Sequence, residues 1–172
     1  MFQKIGYEVT TYRVDGEYKD HRRPSGVTFT ASLLEDLKRR DFTINAIAFS
    51  RRTGLVDPFG GRRDIDSWRL RAVGSARDRF REDGLRIMRA LRFMATLGFR
   101  GDGDLKEAIL SEREMLRVIS AERVRDEFMK LLTGSAAVEI MNEYRDVFAV
   151  IIPELEAMFD YDQHSPYHNR EH

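Results

Sequence analysis

Hydrophobic and polar positions alternate in two rhythms along the chain, and the change between them falls near residue 75. Residues 5–14, IGYEVTTYRV, alternate with a period of two and are rich in β-branched and aromatic side chains, which predicts a strand. VTFT at 27–30 predicts a second, weaker strand, and DGEYKDHRRPSG between the two, punctuated by Pro24 and Gly26, predicts a loop. Leu33 to Arg40 then predicts a short helix, IAFS (47–50) a strand, and LVDP (55–58) an extended piece ahead of the turn FGG. Residues 62–68 predict one more helical turn and LRAVG (70–74) a last short strand.

From Asp78 onward the period is helical. Leu85, Met88, Leu91, Met94 and Leu97 recur at helical spacing and stop at Gly98, which suits a helix C-terminus. Further helices are predicted over Leu105 to Leu116, from Ser120 to Gly134, over about Ala136 to Tyr144, and briefly from Pro153. The expected fold is α+β: a small mixed part over 1–75, a helical part over 76–160, and a tail over 161–172.

Within the first part, LLEDLKRRDFTINAIAFS (33–50) changes from a charged run to an apolar one at Phe42. Phe42, Ile44 and Ile47 are expected to anchor the segment in the core and so hold Arg40 and Asp41 at a rigid edge, placed for phosphate and ribose contacts. Asn45 is polar inside an apolar run. If buried it must find partners, either as a structural tie or as part of the same site.

Composition narrows the function classes. At 172 residues and 42% hydrophobic, the chain can build one ordinary core or two small ones. With no cysteine, disulfides and thiolate chemistry are excluded. No apolar run approaches the roughly 18 residues of a membrane helix, and MFQKIGYEVT lacks a signal-peptide pattern. No membrane partner and a cytoplasmic location are expected. Lys and Arg total 29, as do Asp and Glu, so net charge favours no partner. Its distribution is more informative: arginines crowd positions 62–92, and their fork of donors suits phosphates and base edges. The spacing of His164, His168 and His172 is interrupted by Pro166, and no metal is assigned there.

The densest pattern is REDGLRIMRALRF (81–93). Asp83 and Arg86, three apart on a predicted helix, are expected to be neighbours on its surface. They read either as an ordinary intrahelical ion pair or as one acceptor beside one donor. Cytosine and adenine each show an amino donor beside a ring-nitrogen acceptor, while guanine and uracil show the reverse, so such a pair could accept C and A and refuse G and U. Arg89 and Arg92 continue the spacing, but steps of three form a slow spiral around a helix. Arg89 can reach what Arg86 reaches, whereas Arg92 needs a different neighbour. Ile87, Leu91 and Met94 are expected to face the core.

RRDFTINAIA (39–48), DPFGGRRDI (57–65), REDGLRIMRALRF (81–93) and ISAERVRDEFMKLL (119–132) stand in an order and spacing that resembles the bacterial class II tRNA nucleotidyltransferases, the CCA-adding enzymes, and their poly(A) polymerase relatives. The resemblance implies part of a nucleotidyltransferase palm sheet, the head, over 1–75. It implies an all-helical neck over 76–160 and the start of a body or HD-type region over 161–172. It implies that Asp83 and Arg86 act as a protein template for CTP and ATP, that Arg40 and Asp41 contact the nucleotide, with Asp41 on the ribose, and that Arg89 and Arg92 are further nucleotide-site arginines. DPFGG resembles the flexible link between head and neck, and ISAERV the motif that braces the neck helices.

Glu8 sits where the third carboxylate of the palm is often found, and is the catalytic candidate. The family's Gly-Gly loop and the Asp-x-Asp pair that binds Mg²⁺ are expected ahead of Ile5, where this sequence has neither. The chain is therefore expected to be a truncated form of a longer enzyme or a degenerate relative, inactive or nearly so by itself. Implied partners are CTP, ATP and the tRNA 3′ end or other RNA, with self-association through an exposed sheet edge. Alternatives are a poly(A) polymerase of the same family and a non-catalytic RNA- or nucleotide-binding module.

Overall fold

The computed structural model describes residues 9–16 and 26–158. Strand β1 (Arg13–Asp15) pairs antiparallel with β2 (Val27–Phe29), Arg13 lying opposite Phe29. Helix α1 (Leu33–Lys38) begins where the Ser32 side chain accepts the Glu35 N–H at 3.3 Å. Glu35 and Asp36 in its first turn and Lys38 in its last complement the helix dipole. A 3-10 turn (Thr43–Asn45) leads to the hairpin of β3 (Ala48–Ser50) and β4 (Gly54–Val56), then to α2 (Gly61–Asp66) and β5 (Arg69–Leu70).

The helical part follows as α3 (Ala76–Glu82), α4 (Leu85–Leu97) and the short strand β6 (Arg100–Gly101), which pairs in parallel with β5. Then come α5 (Gly103–Ser111), a 3-10 stretch (Arg113–Val118), α6 (Ala121–Leu132), α7 (Ala137–Glu143), α8 (Arg145–Ile151) and a closing 3-10 turn (Pro153–Ala157). The mixed α+β class and the helical second part are as the sequence predicts.

Helix α4 is the centre of the molecule. Ile87, Met88, Leu91, Met94 and Ala95 are buried on the side it turns to α6 and α7. Ile87, Leu91 and Met94 thus occupy the core as expected. Gly98 ends the helix in the left-handed conformation (φ 73°), its N–H bonded to the Met94 carbonyl at 3.1 Å.

The main core also takes in Phe42, Leu70 and Ala72 from the first part, while a smaller cluster gathers Leu37, Ala46 and Val73. Phe42 is fully buried, its ring edge-on to Phe93 with centroids 5.7 Å apart. It is held from behind by backbone bonds, Thr43 N–H to the Arg71 carbonyl at 2.9 Å and Val73 N–H to the Asp41 carbonyl at 3.0 Å. The expected anchoring of the RRDFTINA segment is what the structure shows at Phe42.

Several elements differ from their sequence-based outlines. The helix expected from Asp78 is two helices, parted at Asp83 and Gly84. Asp83 is extended (φ −144°, ψ 105°), and a Cβ on Gly84 would stand 2.6 Å from the Met115 carbonyl oxygen, so only glycine lets the junction lie against that turn. The helix expected over Leu105 to Leu116 stops at Ser111. Glu112, buried at the break, accepts a two-pronged bond from Arg81 at 2.8 and 3.0 Å, which ties the junction to α3. Among the described residues the strands form three separate two-stranded sheets. Only Arg69–Leu70 of the LRAVG segment pairs as a strand, with Ala72 bridging to Phe42. The strand expected over 5–14 is paired from Arg13; residues 5–8 lie outside the described residues.

Replacing Phe42 with Ala removes a side chain shared by both parts of the core. Denaturant unfolding is expected to show a loss of about 3–5 kcal/mol, and Phe42→Leu a clearly smaller one. Equal losses for the two variants would contradict the tight packing against Phe93.

Candidate nucleotide-binding cleft

The cleft is assembled from the end of α1, the following 3-10 turn and the exposed side of α4. At its base lies Asp36, its side chain only 3% exposed. Its Oδ1 accepts from Arg39 Nη2 at 2.7 Å and Nε at 3.0 Å, and its Oδ2 from Arg40 Nη2 at 3.0 Å. The Arg13 N–H adds a bond at 3.3 Å. Burial pushes the Asp36 carboxyl up, but the hydrogen bonds from Arg39, Arg40 and the Arg13 backbone together outweigh it and hold it below its ordinary value of 3.8. One buried carboxylate thus fixes both arginines of the charged run. Arg40 Nε has no hydrogen-bond partner, leaving a donor unused in a side chain that lines the cleft.

Asp41 comes next. Its Oδ1 accepts from the Phe42 N–H at 2.9 Å and from Asn45 Nδ2 at 3.0 Å. Its Oδ2 accepts from Arg89 at 2.7 Å (Nε) and 2.6 Å (Nη2). Asn45 is therefore a structural tie that also lines the cleft. Arg89, on α4, joins the second part of the chain to the first.

Asp83 and Arg86 do not form the ordinary intrahelical pair that their spacing suggests. Asp83 stands between the helices, where its Oδ1 accepts the Leu85 N–H at 3.1 Å and its Oδ2 accepts from Arg123 Nη2 of α6 at 2.8 Å. Arg86 donates to the Glu82 carboxylate at 2.5 Å and to the carbonyls of Arg79 and Arg39 at 3.1 Å each. Acceptor and donor are held by separate partners on one wall, and neither neutralises the other. The cleft, about 370 Å³, is lined by Arg39, Arg40, Asp41, Asn45, Asp83, Arg86, Arg89 and Phe93.

Arg92 does not line it. Its Nε donates to Glu127 of α6 at 2.6 Å, and its guanidinium lies over the Phe93 ring at 4.2 Å from the centroid. The spiral of three-residue steps carries it off the wall that Arg86 and Arg89 share. Glu8 lies outside the described residues, as do His164, His168 and His172. Among the described residues no group of three or more His, Asp or Glu side chains could hold a metal ion, so no ligand set for Mg²⁺ is found there. No described helix is long and apolar enough to cross a membrane.

Sequence reasoning missed three contributors. Phe93 reads as core, and its place in the run Arg89–Arg92–Phe93 was the available sign that it borders arginines. Arg123 and Glu127 sit in the segment read as bracing, and a one-turn spacing of opposite charges on α6 was the only hint that each meets a charge on the α3–α4 segment.

Residues 1–71 match the family model described as Poly A polymerase head domain, and residues 98–159 that described as Probable RNA and SrmB- binding site of polymerase A. The CCA-adding enzyme of Bacillus velezensis is 50% identical over 163 residues, covering 95% of this chain and 41% of that enzyme. Among solved structures, the Bacillus stearothermophilus CCA-adding enzyme in complex with CTP superposes with a TM-score of 0.73 at 45% identity, over 82% of this chain and 33% of that one. A tRNA nucleotidyltransferase complexed with a primer tRNA and an incoming ATP analog gives a TM-score of 0.66 at 32% identity, over 80% of this chain and 41% of that one. The chain spans less than half the length of the curated relatives it matches.

The stability that Asp36 supplies is present above its ordinary value of 3.8 and is lost as pH falls through its lower folded value. Asp36→Asn is expected to cost about 1–3 kcal/mol at neutral pH. Its deficit against the unmodified chain should close as thermal melts are taken from pH 6 down through pH 4 to the acid limit. A deficit that stays constant with pH would assign the loss to packing instead.

Proposed function

The chain belongs to the bacterial family of CCA-adding tRNA nucleotidyltransferases and their poly(A) polymerase relatives, and from that premise we propose that its cleft selects CTP and ATP for transfer to the 3′ end of tRNA. The observation that carries this is the fixed, mutually unpaired arrangement of Asp83 and Arg86 on one wall of the cleft. A carboxylate that accepts and a guanidinium that donates match the amino group and ring nitrogen of cytosine and adenine. Uracil and guanine would set acceptor against acceptor and donor against donor, and a buried polar group left unpaired costs far more than a mediocre contact.

The remaining residues take the rest of the nucleotide. Asp41, steadied by Asn45, the Phe42 N–H and Arg89, offers acceptor oxygens to a ribose hydroxyl. Arg40, with a donor to spare, and Arg89 offer charge to the phosphates. Arg92 acts from behind, through the Phe93 ring it covers. In phosphoryl transfer Mg²⁺ would supply charge neutralisation and alignment of the attacking oxygen. We assign no such step to the described residues; Glu8 remains our candidate carboxylate toward it. The head over 1–75, the neck over 76–160, the start of a further region over 161–172 and a cytoplasmic location are parts of the same proposal. The matches of two family models to 1–71 and 98–159 support the division.

Self-association belongs to it as well. The β1–β2 ladder has no further strand beside it among the described residues, and Val27, Phe29, Leu34, Phe49 and Leu55 are exposed.

Calorimetric titration of the purified chain is expected to give binding of CTP and ATP and none of GTP or UTP. Arg86→Ala should weaken CTP and ATP binding by about tenfold or more, with the helical circular-dichroism signal retained. Equal affinity for all four nucleotides, or none for any, would overturn the assignment. In light scattering the mean mass should rise with concentration, and replacing Phe29 and Phe49 with Ser should suppress the rise; a monomer across the whole range would exclude the sheet-edge contact.

A further inference from the structure

We propose that Arg123, on α6, is the positioning residue for base selection, because it fixes which lone pair of the Asp83 carboxylate is left for a ligand. The inference rests on the nucleotide-selecting role given to the cleft above.

A carboxylate offers about four lone-pair sites. On Asp83 three are occupied within the chain. Oδ1 takes the Leu85 N–H at 3.1 Å and Arg123 Nη1 at 3.4 Å, and Oδ2 takes Arg123 Nη2 at 2.8 Å. One site on Oδ2 remains. A single amino group, as on cytosine or adenine, satisfies it, whereas a carbonyl oxygen at the same place would meet it with repulsion.

The fork is what sets this count. Asp83 lies between two helices in an extended conformation, so its own backbone does not dictate where the carboxylate points. Without a partner across the gap, the group could rotate toward the donors that line the same cleft, Arg86 above all, and become the neutralised pair that the sequence spacing suggests. Arg123 prevents this from a position fixed by packing. Next to it on α6, Val124 is buried in the main core, and one turn on, Glu127 grips Arg92 at 2.6 Å. Two ion pairs of opposite polarity, Arg123 with Asp83 and Glu127 with Arg92, therefore join α6 to the α3–α4 segment and hold the carboxylate in register with Arg86.

A guanidinium fork and an ammonium are not equivalent in such a role, since lysine brings charge without the two-pronged geometry. The test uses the unmodified chain, Arg123→Lys, Arg123→Met, Asp83→Asn and the Asp83→Asn/Arg123→Lys double variant, titrated with CTP and UTP and checked by thermal melting. The ratio of UTP to CTP dissociation constants is expected to fall about tenfold in Arg123→Lys, which keeps the stem and charge, and at least as far in Arg123→Met. Adding Arg123→Lys to Asp83→Asn should change the ratio no further, because the residue acts through the carboxylate. Full discrimination in Arg123→Lys, or a further change in the double variant, would overturn the inference while leaving the cleft's role intact. Equal binding of CTP and UTP by the unmodified chain, or none of either, would remove both.

Discussion

Helix α4 has to be buried on one side and heavily charged on the other, and that requirement organises the rest of the molecule. Ile87, Met88, Leu91, Met94 and Ala95 commit one side to the core, and the same thirteen residues carry Arg86, Arg89 and Arg92. A guanidinium close to an apolar core needs a partner, since an uncompensated charge there costs several kcal/mol. Each arginine finds its partner on a different element: Arg86 on the last turn of α3, Arg89 on the segment after α1, Arg92 on α6. The charged side of one helix thereby fastens three other parts of the chain around it.

The same pairing prepares the cleft for an anionic ligand. Several cations gathered without counter-charges would repel one another and loosen the fold. Here Asp36 neutralises Arg39 and Arg40, Asp41 neutralises Arg89, and Glu82 neutralises Arg86, so the array is stable while empty. A bound nucleotide need not create order, because the donors already point in set directions. What it must do is share or exchange partners, which favours a ligand carrying its own acceptors and negative charge over a neutral one.

Much of this was legible in the sequence because it depends on local patterns. The helical period after Asp78, the end at Gly98 and the anchoring of Phe42 follow from spacing and residue type alone. The spiral of Arg86, Arg89 and Arg92 likewise anticipates that the third would leave the wall shared by the first two. What stayed hidden depends on contacts distant in sequence. Glu112 ends α5 because Arg81, thirty-one positions earlier, draws it in. Phe93 borders the cleft because Phe42 and Arg92 flank its ring. No periodicity records such meetings.

The break at Asp83 and Gly84 is the clearest case, and it bears directly on function. An unbroken helix through Glu82, Asp83 and Arg86 would stack Asp83 and Arg86 one turn apart, where opposite charges pair and spend their hydrogen bonds on each other. A ligand would then have to break that pair before it could be read. Gly84, the one residue whose missing side chain lets the chain pass 2.6 Å from where a Cβ would strike the Met115 carbonyl, makes the interruption possible. Asp83 is handed to Arg123 and Arg86 to Glu82 and two backbone carbonyls. Acceptor and donor remain adjacent yet separately held, so the hydrogen-bond pattern they present is set by the fold before any base arrives.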